Sequence, residues 1–171
     1  MRSEVRDFAM VGNEALKMGK TKKVVVVDID GTIAQVGDRL KYLQQEPKNW
    51  DAFYEHCGED APIEDVIWLI RDLWDIGYEI VYCTGRREGV RKRTQDWLIW
   101  NGLPMSGNLL MRKDRDWRHD TEVKPELLEK WMWCNKVKPS DIFLILEDRD
   151  SMVAKWRELG YRCFQVADGK F

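Results

Sequence analysis

The stretch Lys22–Ala34, KKVVVVDIDGTIA, decides the fold. Val24 to Val27 are β-branched and uniformly apolar, which suits a strand buried on both faces of a parallel sheet better than a half-exposed one. Asp28 and Asp30 then fall where that strand ends, and Gly31 and Thr32 carry the chain away. Ligands of open α/β sheets bind outside the carboxyl ends of the strands, so the two acids stand where chemistry is usually done.

Working outward, strands and helices alternate. Residues 1–23 read as a polar N-terminal extension, helical or frayed. Gln35 to Gln45 has no clear period, and Asn49 is a cap for a short helix reaching Cys57, with Trp50, Phe53, Tyr54 and Cys57 at helical spacing. Pro62 suits the first position of a longer helix whose inner face is Ile63, Val66, Ile67, Ile70, Leu73 and Trp74, closed by Gly77. YEIVYCT, ending at Thr84, is a second strand. GRREGVRKRTQDWLIWNG enters a helix with Val90, Trp97 and Leu98 inward and Gly102 as its stop. LLMR is a third strand, followed by the charged loop KDRDWRHD and a helix starting near Pro125. IFLILED is a fourth strand, Asp150 to Leu159 a helix ended by Gly160, and YRCFQV a fifth strand. The pattern predicts an α/β fold, a doubly wound five-stranded parallel sheet.

Composition excludes several classes. The 171 residues carry a formal net charge of −2, so nothing pulls the whole chain toward polyanions, and a nucleic acid would need a local basic patch. No apolar run reaches the roughly 20 residues of a membrane span, and the first residues lack the apolar core of a secretory signal. A cytoplasmic, single-domain protein with no membrane partner is expected; the sequence specifies no oligomeric state. The four cysteines, Cys57, Cys83, Cys134 and Cys163, are widely spread without a C-x-x-C pair and read as reduced core residues. His56 and His119 have no partner at metal-ligand spacing, and RREGVRKR reads as the solvated face of a helix rather than as the alternative, a phosphate track for a nucleic-acid strand. Of the nine tryptophans, Trp68, Trp74, Trp97 and Trp156 sit at core spacing, and among the others Trp50 and Trp117, in the least regular segments, are the candidates for base stacking.

The strand ends converge on one rim: Asp28 and Asp30 from the first, Thr84 and Arg86 from the second, Glu147 and Asp148 from the fourth, with Lys124 from the start of a helix. Clustered carboxylates raise one another's pKa unless a cation is present. Oxygen ligands with few histidines point to Mg²⁺, and the lysine, arginine and hydroxyl fit a phosphoryl group beside it.

DIDGT, CTGR, Lys124 and LEDRD, in that order and on those elements, resemble the four motifs of the haloacid dehalogenase (HAD) superfamily of phosphohydrolases. Within it, the tail VAKWRELGYRCFQVADGKF, the segment RHDTEVK and the distance of Arg39 from DIDGT resemble the phosphatase domains of bacteriophage polynucleotide kinase/3′-phosphatases. The resemblance covers residues 24–171 and implies a HAD-like phosphatase domain with residues 35–60 as a cap or flap insertion. It implies Asp28 as nucleophile, Asp30 as general acid and base, and Thr84 and Lys124 on the phosphoryl oxygens. Mg²⁺ would be held by Asp28, the Asp30 carbonyl, Asp148 and Glu147. Gly31, Thr32, Arg39, Gly85, Arg86 and Asp120 are implied as substrate-binding, Gly31 by letting the backbone pass close to phosphate. The implied substrate is a nucleic-acid 3′-end, with a nucleotide or sugar phosphate as the alternative, and a separate kinase or ligase as a possible partner. Two departures stand out: Glu147 replaces an aspartate of the fourth motif, and residues 40–60 differ in sequence.

Other readings fit less well. An EF-hand loop opening at Asp28 needs Glu at its twelfth position, which is Arg39. Gly19 to Thr21, GKT, resembles the end of a phosphate loop, but the earlier glycine is Glu14 and a strand follows. A phospho-receiver module would place its acceptor on the third strand, where LLMRKD stands. A non-enzymatic nucleic-acid binder leaves the converging acids without a purpose.

Overall fold

The computed structural model describes residues 23–105 and 107–169. Residues 1–22 of the N-terminal extension, which include the GKT segment, lie outside the described residues. The elements are β1 (Val24–Val27), a 3₁₀ turn (Gly37–Tyr42), α1 (Trp50–Glu55), α2 (Glu64–Asp75), β2 (Glu79–Arg87), α3 (Arg91–Trp100), β3 (Leu109–Arg112), α4 (Asp120–Asn135), β4 (Ile142–Glu147), α5 (Asp150–Glu158) and β5 (Cys163–Gln165).

The five strands form one sheet in the order β3-β2-β1-β4-β5, every pairing parallel, with Val26 of β1 opposite Val81 of β2 and Ile145 of β4. The valine run is central, and strand periodicity divides it between two cores. Val25 and Val27 pack with Ile67, Ile70, Trp97 and Leu98 from α2 and α3. Val24 and Val26 pack with Leu128, Met132, Met152 and Trp156 from α4 and α5. Because the order reverses at β1, its carboxyl end lies at the topological switch point, where side chains can project into a crevice without meeting a crossover. A receiver domain, with order 2-1-3-4-5, is a different topology. Among the described residues, no helix is long and apolar enough to cross a membrane.

Most sequence-predicted elements are where they are expected, and Asn49 caps α1 by accepting from the Ala52 amide at 3.0 Å. Four details differ. Pro62 is extended rather than helical, because residues 61–63 pair with the post-β1 loop: Ala61 O accepts from Gln35 N at 2.8 Å, and Ile33 O from Ile63 N at 2.8 Å. Helix α4 begins five residues before Pro125, capped by the His119 ring accepting from the Thr121 amide, so the proline sits inside it and Lys124 projects from an established helix. Strand β2 continues to Arg87, with a bulge between Thr84 and Arg87 in its pairing with β3. Trp68 lies on the outer face of α2, 60% exposed, because Val66, Ile67 and Ile70 take the inner stripe.

Cys57, Cys83 and Cys163 are buried free thiols and Cys134 is an exposed one. His56 pairs with Glu59 at 2.9 Å and stacks on Tyr42, so both histidines are occupied with local contacts. The basic run after β2 is likewise paired locally: Arg91 with Glu88, Lys92 with Asp96, and Arg93 with Glu55.

Candidate active site

The loop after β1 is set by local backbone chemistry. Gly31, at φ +87°, donates its amide to Ala34 O at 2.8 Å, while the amides of Ile33 and Ala34 both donate to Ile29 O at 2.9 Å. The left-handed conformation is cheap only for glycine. It fixes Asp28 and Asp30 side by side at the strand end.

Asp28 is buried beneath a cleft of about 700 Å³. Its Oδ1 accepts from Lys124 Nζ at 2.7 Å, and the same ammonium donates to Glu147 Oε2 at 2.8 Å. The Thr32 hydroxyl lies 3.4 Å from Asp28 Oδ2 and 3.3 Å from Asp148 Oδ1. Oxygens of Asp28, Glu147 and Asp148 all lie within 4.8 Å of one another. Three carboxylates thus face one ammonium. Burial, with the charge of Glu147, pushes the Asp28 carboxyl up to about 7 against the pull of Lys124. Burial and the charge of Asp28 push Asp148 up to about 6. Glu147 is raised by burial as well, and Lys124 is held well above its usual value by Asp28 and Glu147 despite its own burial.

Among the described residues, Glu147 Oε1 and Asp148 Oδ2 are buried with no hydrogen-bond partner. An unsatisfied buried acceptor costs about 1–3 kcal/mol, more when charged. A hard divalent cation among the three carboxylates would satisfy both oxygens and offset the surplus negative charge, so the residues fit Mg²⁺.

Asp30 is built differently. Its Oδ1 accepts from Arg39 Nη2 at 2.5 Å and from Arg86 Nε and Nη2 at 2.9 and 2.6 Å. Burial would raise its pKa, but Arg86 and Arg39 outweigh that and hold it at about 2. Both guanidiniums also bind Asp60: Arg39 by Nε and Nη2 at 2.7 Å each, Arg86 by Nη2 at 2.9 Å. The β2 bulge makes this possible, since it turns Arg86 inward under the cleft; re-aiming a side chain is a common use of a bulge. Arg39 and Arg86 are therefore not on the cleft surface. They are buried braces of Asp30, with Arg39 also lying 4.3 Å over the Phe53 ring.

Thr84 is buried, its hydroxyl oxygen accepting from the Arg86 amide at 3.2 Å. Gly85 borders the cleft and has no room for a side chain: a Cβ would meet Asp120 Oδ1 at 2.8 Å. Asp120, at the start of α4, accepts from Arg112 and, at 3.2 Å, from Arg149 Nη1. Lys124, Arg112 and Arg149 together hold its carboxyl below the usual range in spite of burial. The structure thus brings Asp28, Thr32, Lys124, Glu147 and Asp148 into one cluster, Asp30 with Arg39 and Arg86 into a second, and Asp120 into a third at the cleft wall.

Sequence reasoning missed Asp60, Arg112 and Arg149. No motif marks Asp60 within GEDAPIED; only its position at the end of the irregular segment was available as a signal. The tail that carries part of the resemblance backs the fourth motif: Gln165 Nε2 donates to Asp148 O at 2.7 Å and Asp150 Oδ1 at 2.6 Å, and the Val166 amide to Glu147 O at 3.0 Å.

A parallel sheet in the order 3-2-1-4-5, with a carboxylate trio and a buried lysine at the switch point, defines a HAD-type phosphatase. More particularly, the chain belongs to the family of polynucleotide kinase PNKP phosphatase domains, whose sequence profile matches residues 22–171. A chain of the Pnkp1/Rnl/Hen1 complex is 26% identical and superposes with a TM-score of 0.71 over 89% of this chain and 48% of its own length. A structure of the Pnkp1/Rnl/Hen1 RNA repair complex gives 0.71 and 26%, over 88% and 44%. The chain thus spans about half the length of these two. The class C acid phosphatase from Bacillus anthracis with tungstate bound shares the fold at 18% identity, with a TM-score of 0.56 over 86% of this chain and 65% of its own.

Proposed function

We propose that the protein is a Mg²⁺-dependent phosphomonoesterase that removes 3′-phosphates from DNA or RNA ends through an aspartyl-phosphate on Asp28. The observation that carries this is the Asp28 carboxylate, held by Lys124 beside two orphaned carboxylate oxygens, under a cleft bordered by Lys48, Arg87, Arg112, Arg118 and Arg149. Residues 35–60 act as the flap over this cleft, since Leu40, Leu43, Lys48, Trp50 and Tyr54 border it.

In the first step an Asp28 oxygen forms a bond to phosphorus as the bond to the 3′-oxygen breaks, and that oxygen leaves with a proton from Asp30. In the second, water attacks the same phosphorus, Asp30 takes its proton, and inorganic phosphate and free Asp28 result. Arg39 and Arg86 hold Asp30 ionised, the form that the second step needs. For the first step its proton comes from the phosphate monoanion of the substrate. Lys124, which borders the cleft, stabilises charge on the phosphoryl oxygens, whereas Thr84, implied by the resemblance to do the same, is fully buried and does not border it. Mg²⁺, held by Asp28, Asp148, the Asp30 carbonyl and Glu147, would supply further neutralisation of those oxygens. The resemblance to proteins of an RNA repair complex supports a kinase or ligase working beside it.

The test is phosphate release with Mg²⁺ from a 3′-phosphorylated oligonucleotide, a 5′-phosphorylated one, and 3′- and 5′-mononucleotides, with Asp28→Asn as the blank. The 3′-phosphorylated oligonucleotide should be preferred, and its KM should rise steeply with salt while that of a mononucleotide changes little. Equal turnover of mononucleotides would move the substrate to small phosphate esters, and activity surviving in Asp28→Asn would refute the covalent route.

A further inference from the structure

Two exposed tryptophans border the cleft, and each sits on a segment that is held in place. Trp117 is 70% exposed. The backbone on either side of it is pinned by Arg112, whose Nη1 donates to Asp116 O at 2.9 Å and Arg118 O at 2.7 Å. The Arg118 guanidinium closes the turn on Asp116 at 2.7 Å and reaches Glu126 at 2.8 Å. Trp50 is 39% exposed on α1, stacked on Tyr54 at 6.1 Å and edge-on to Phe53 at 5.8 Å. Arg87 anchors that helix by pairing with Asp51 at 2.7 Å and lying 4.6 Å over the Tyr54 ring. Arg87 and Arg112 are register partners in β2 and β3, so one rung of the sheet fixes both aromatic segments.

Exposure alone proves nothing, since single exposed apolar residues are ordinary; Trp100 and Trp133 are more exposed and lie away from the cleft. What separates Trp50 and Trp117 is position and rigidity. A pre-ordered indole beside guanidiniums offers a flat face at little entropic cost, and its chemical match is another flat π-face carried on a polyanion. We infer that Trp117 and Trp50 are stacking platforms for unpaired nucleobases at the end of the substrate strand, so that the enzyme selects single-stranded or frayed 3′-ends over duplex ends. This rests on the reading of the substrate as a nucleic-acid 3′-end. A blunt duplex keeps its bases stacked on their own neighbours and cannot offer them without unpairing.

The experiment is a cycle of side-chain and base deletions on single-stranded 3′-phosphorylated oligonucleotides, one with normal bases and one abasic at its two terminal positions. Alanine substitution at a base-stacking aromatic costs about 1–3 kcal/mol per base, and 1.4 kcal/mol is tenfold. Trp117→Ala should therefore raise KM for the normal strand about 5- to 150-fold with kcat changed less than about threefold, and Trp50→Ala should act in the same direction. Trp117→Phe should recover most of the loss. For wild type, removing the bases should cost a similar factor, and combining the abasic strand with Trp117→Ala should add little. The inference is overturned if both alanine variants stay within twofold of wild-type KM, or if their loss on the abasic strand is as large as on the normal one. A wild-type enzyme that turns over mononucleotides as well as oligonucleotides overturns the substrate reading itself, and this inference with it.

Discussion

Asp60→Asn probes the buried brace under the cleft. Two guanidiniums, Arg39 at 2% and Arg86 at 0% side-chain exposure, face two carboxylates, Asp30 and Asp60. Asparagine keeps the volume and one acceptor oxygen but leaves that cluster with an uncompensated positive charge. Removing one partner of a buried pair costs about 3–5 kcal/mol. Burial already pushes the Asp60 carboxyl above its usual range against the pull of Arg39 and Arg86. Part of the ion-pair energy is thus spent on desolvation, and the lower end of that range is expected. At about 2–4 °C per kcal/mol for a domain of this size, Tm should fall by roughly 6–12 °C. Because both arginines also hold Asp30 Oδ1, kcat should drop more than about tenfold as Asp30 loses its fixed orientation. Thermal unfolding by circular dichroism and steady-state turnover read the two effects. Asp38→Asn, the same charge change at an exposed site of the same segment, serves as the control and should lie within about 0.5 kcal/mol of wild type. A Tm for Asp60→Asn within about 2 °C of wild type would refute the argument.

Two further predictions concern the carboxylate trio. In chelator, Asp28 with its pKa at about 7 and Asp148 at about 6 bind more protons folded than unfolded, where the ordinary value is 3.8. Stability of the metal-free protein should therefore be greatest below about pH 4 as far as these groups are concerned, and fall as pH rises to about 7. Excess Mg²⁺ should remove that slope; urea unfolding at pH 5 and pH 7.5 measures it, and a slope of opposite sign, or one that Mg²⁺ leaves unchanged, contradicts the assignment. Glu147→Ala should raise the Mg²⁺ concentration for half-maximal activity at least about tenfold, comparably to Asp148→Ala, because its orphaned Oε1 belongs to the same cluster. A rise below about threefold would confine Glu147 to holding Lys124.

The fold was legible because its decisive signals are periodic. Four consecutive valines have one comfortable home, the centre of a parallel sheet, and the acids after them are then placed by strand geometry alone. Asn49, Gly77 and the apolar spacing of residues 63–74 work the same way, since capping and helical period act within a few residues. The errors share a cause too. Local preference alone suggests Pro62 and Pro125 as helix starts, and each is overridden: Pro62 by backbone pairing with residues 33–35, and Pro125 by a cap six residues upstream at His119. Trp68 shows the limit of spacing arguments, because an aromatic adjacent to a core stripe is one residue away from facing water.

The site divides along the same line. Groups of a kind that can bind a phosphate or its metal are recognisable by type at strand ends or near the start of a helix, so the convergence of Asp28, Lys124, Glu147 and Asp148 could be read from the chain. Groups that only hold those in place are chosen by three-dimensional closure, and nothing local marks them. Asp60 acquires its partners because the β2 bulge swings Arg86 inward and the 3₁₀ turn delivers Arg39, two events about fifty residues apart in sequence. The distinction changes what the residues mean. As substrate contacts, Arg39 and Arg86 would contribute mainly to KM. As buried braces, their loss would act on the orientation of Asp30 and appear in kcat, with stability falling at the same time. Fixing a catalytic carboxylate before the substrate arrives avoids reorganisation during the reaction, and a buried network of two arginines and two aspartates is a costly way to do it, justified only where that orientation governs turnover.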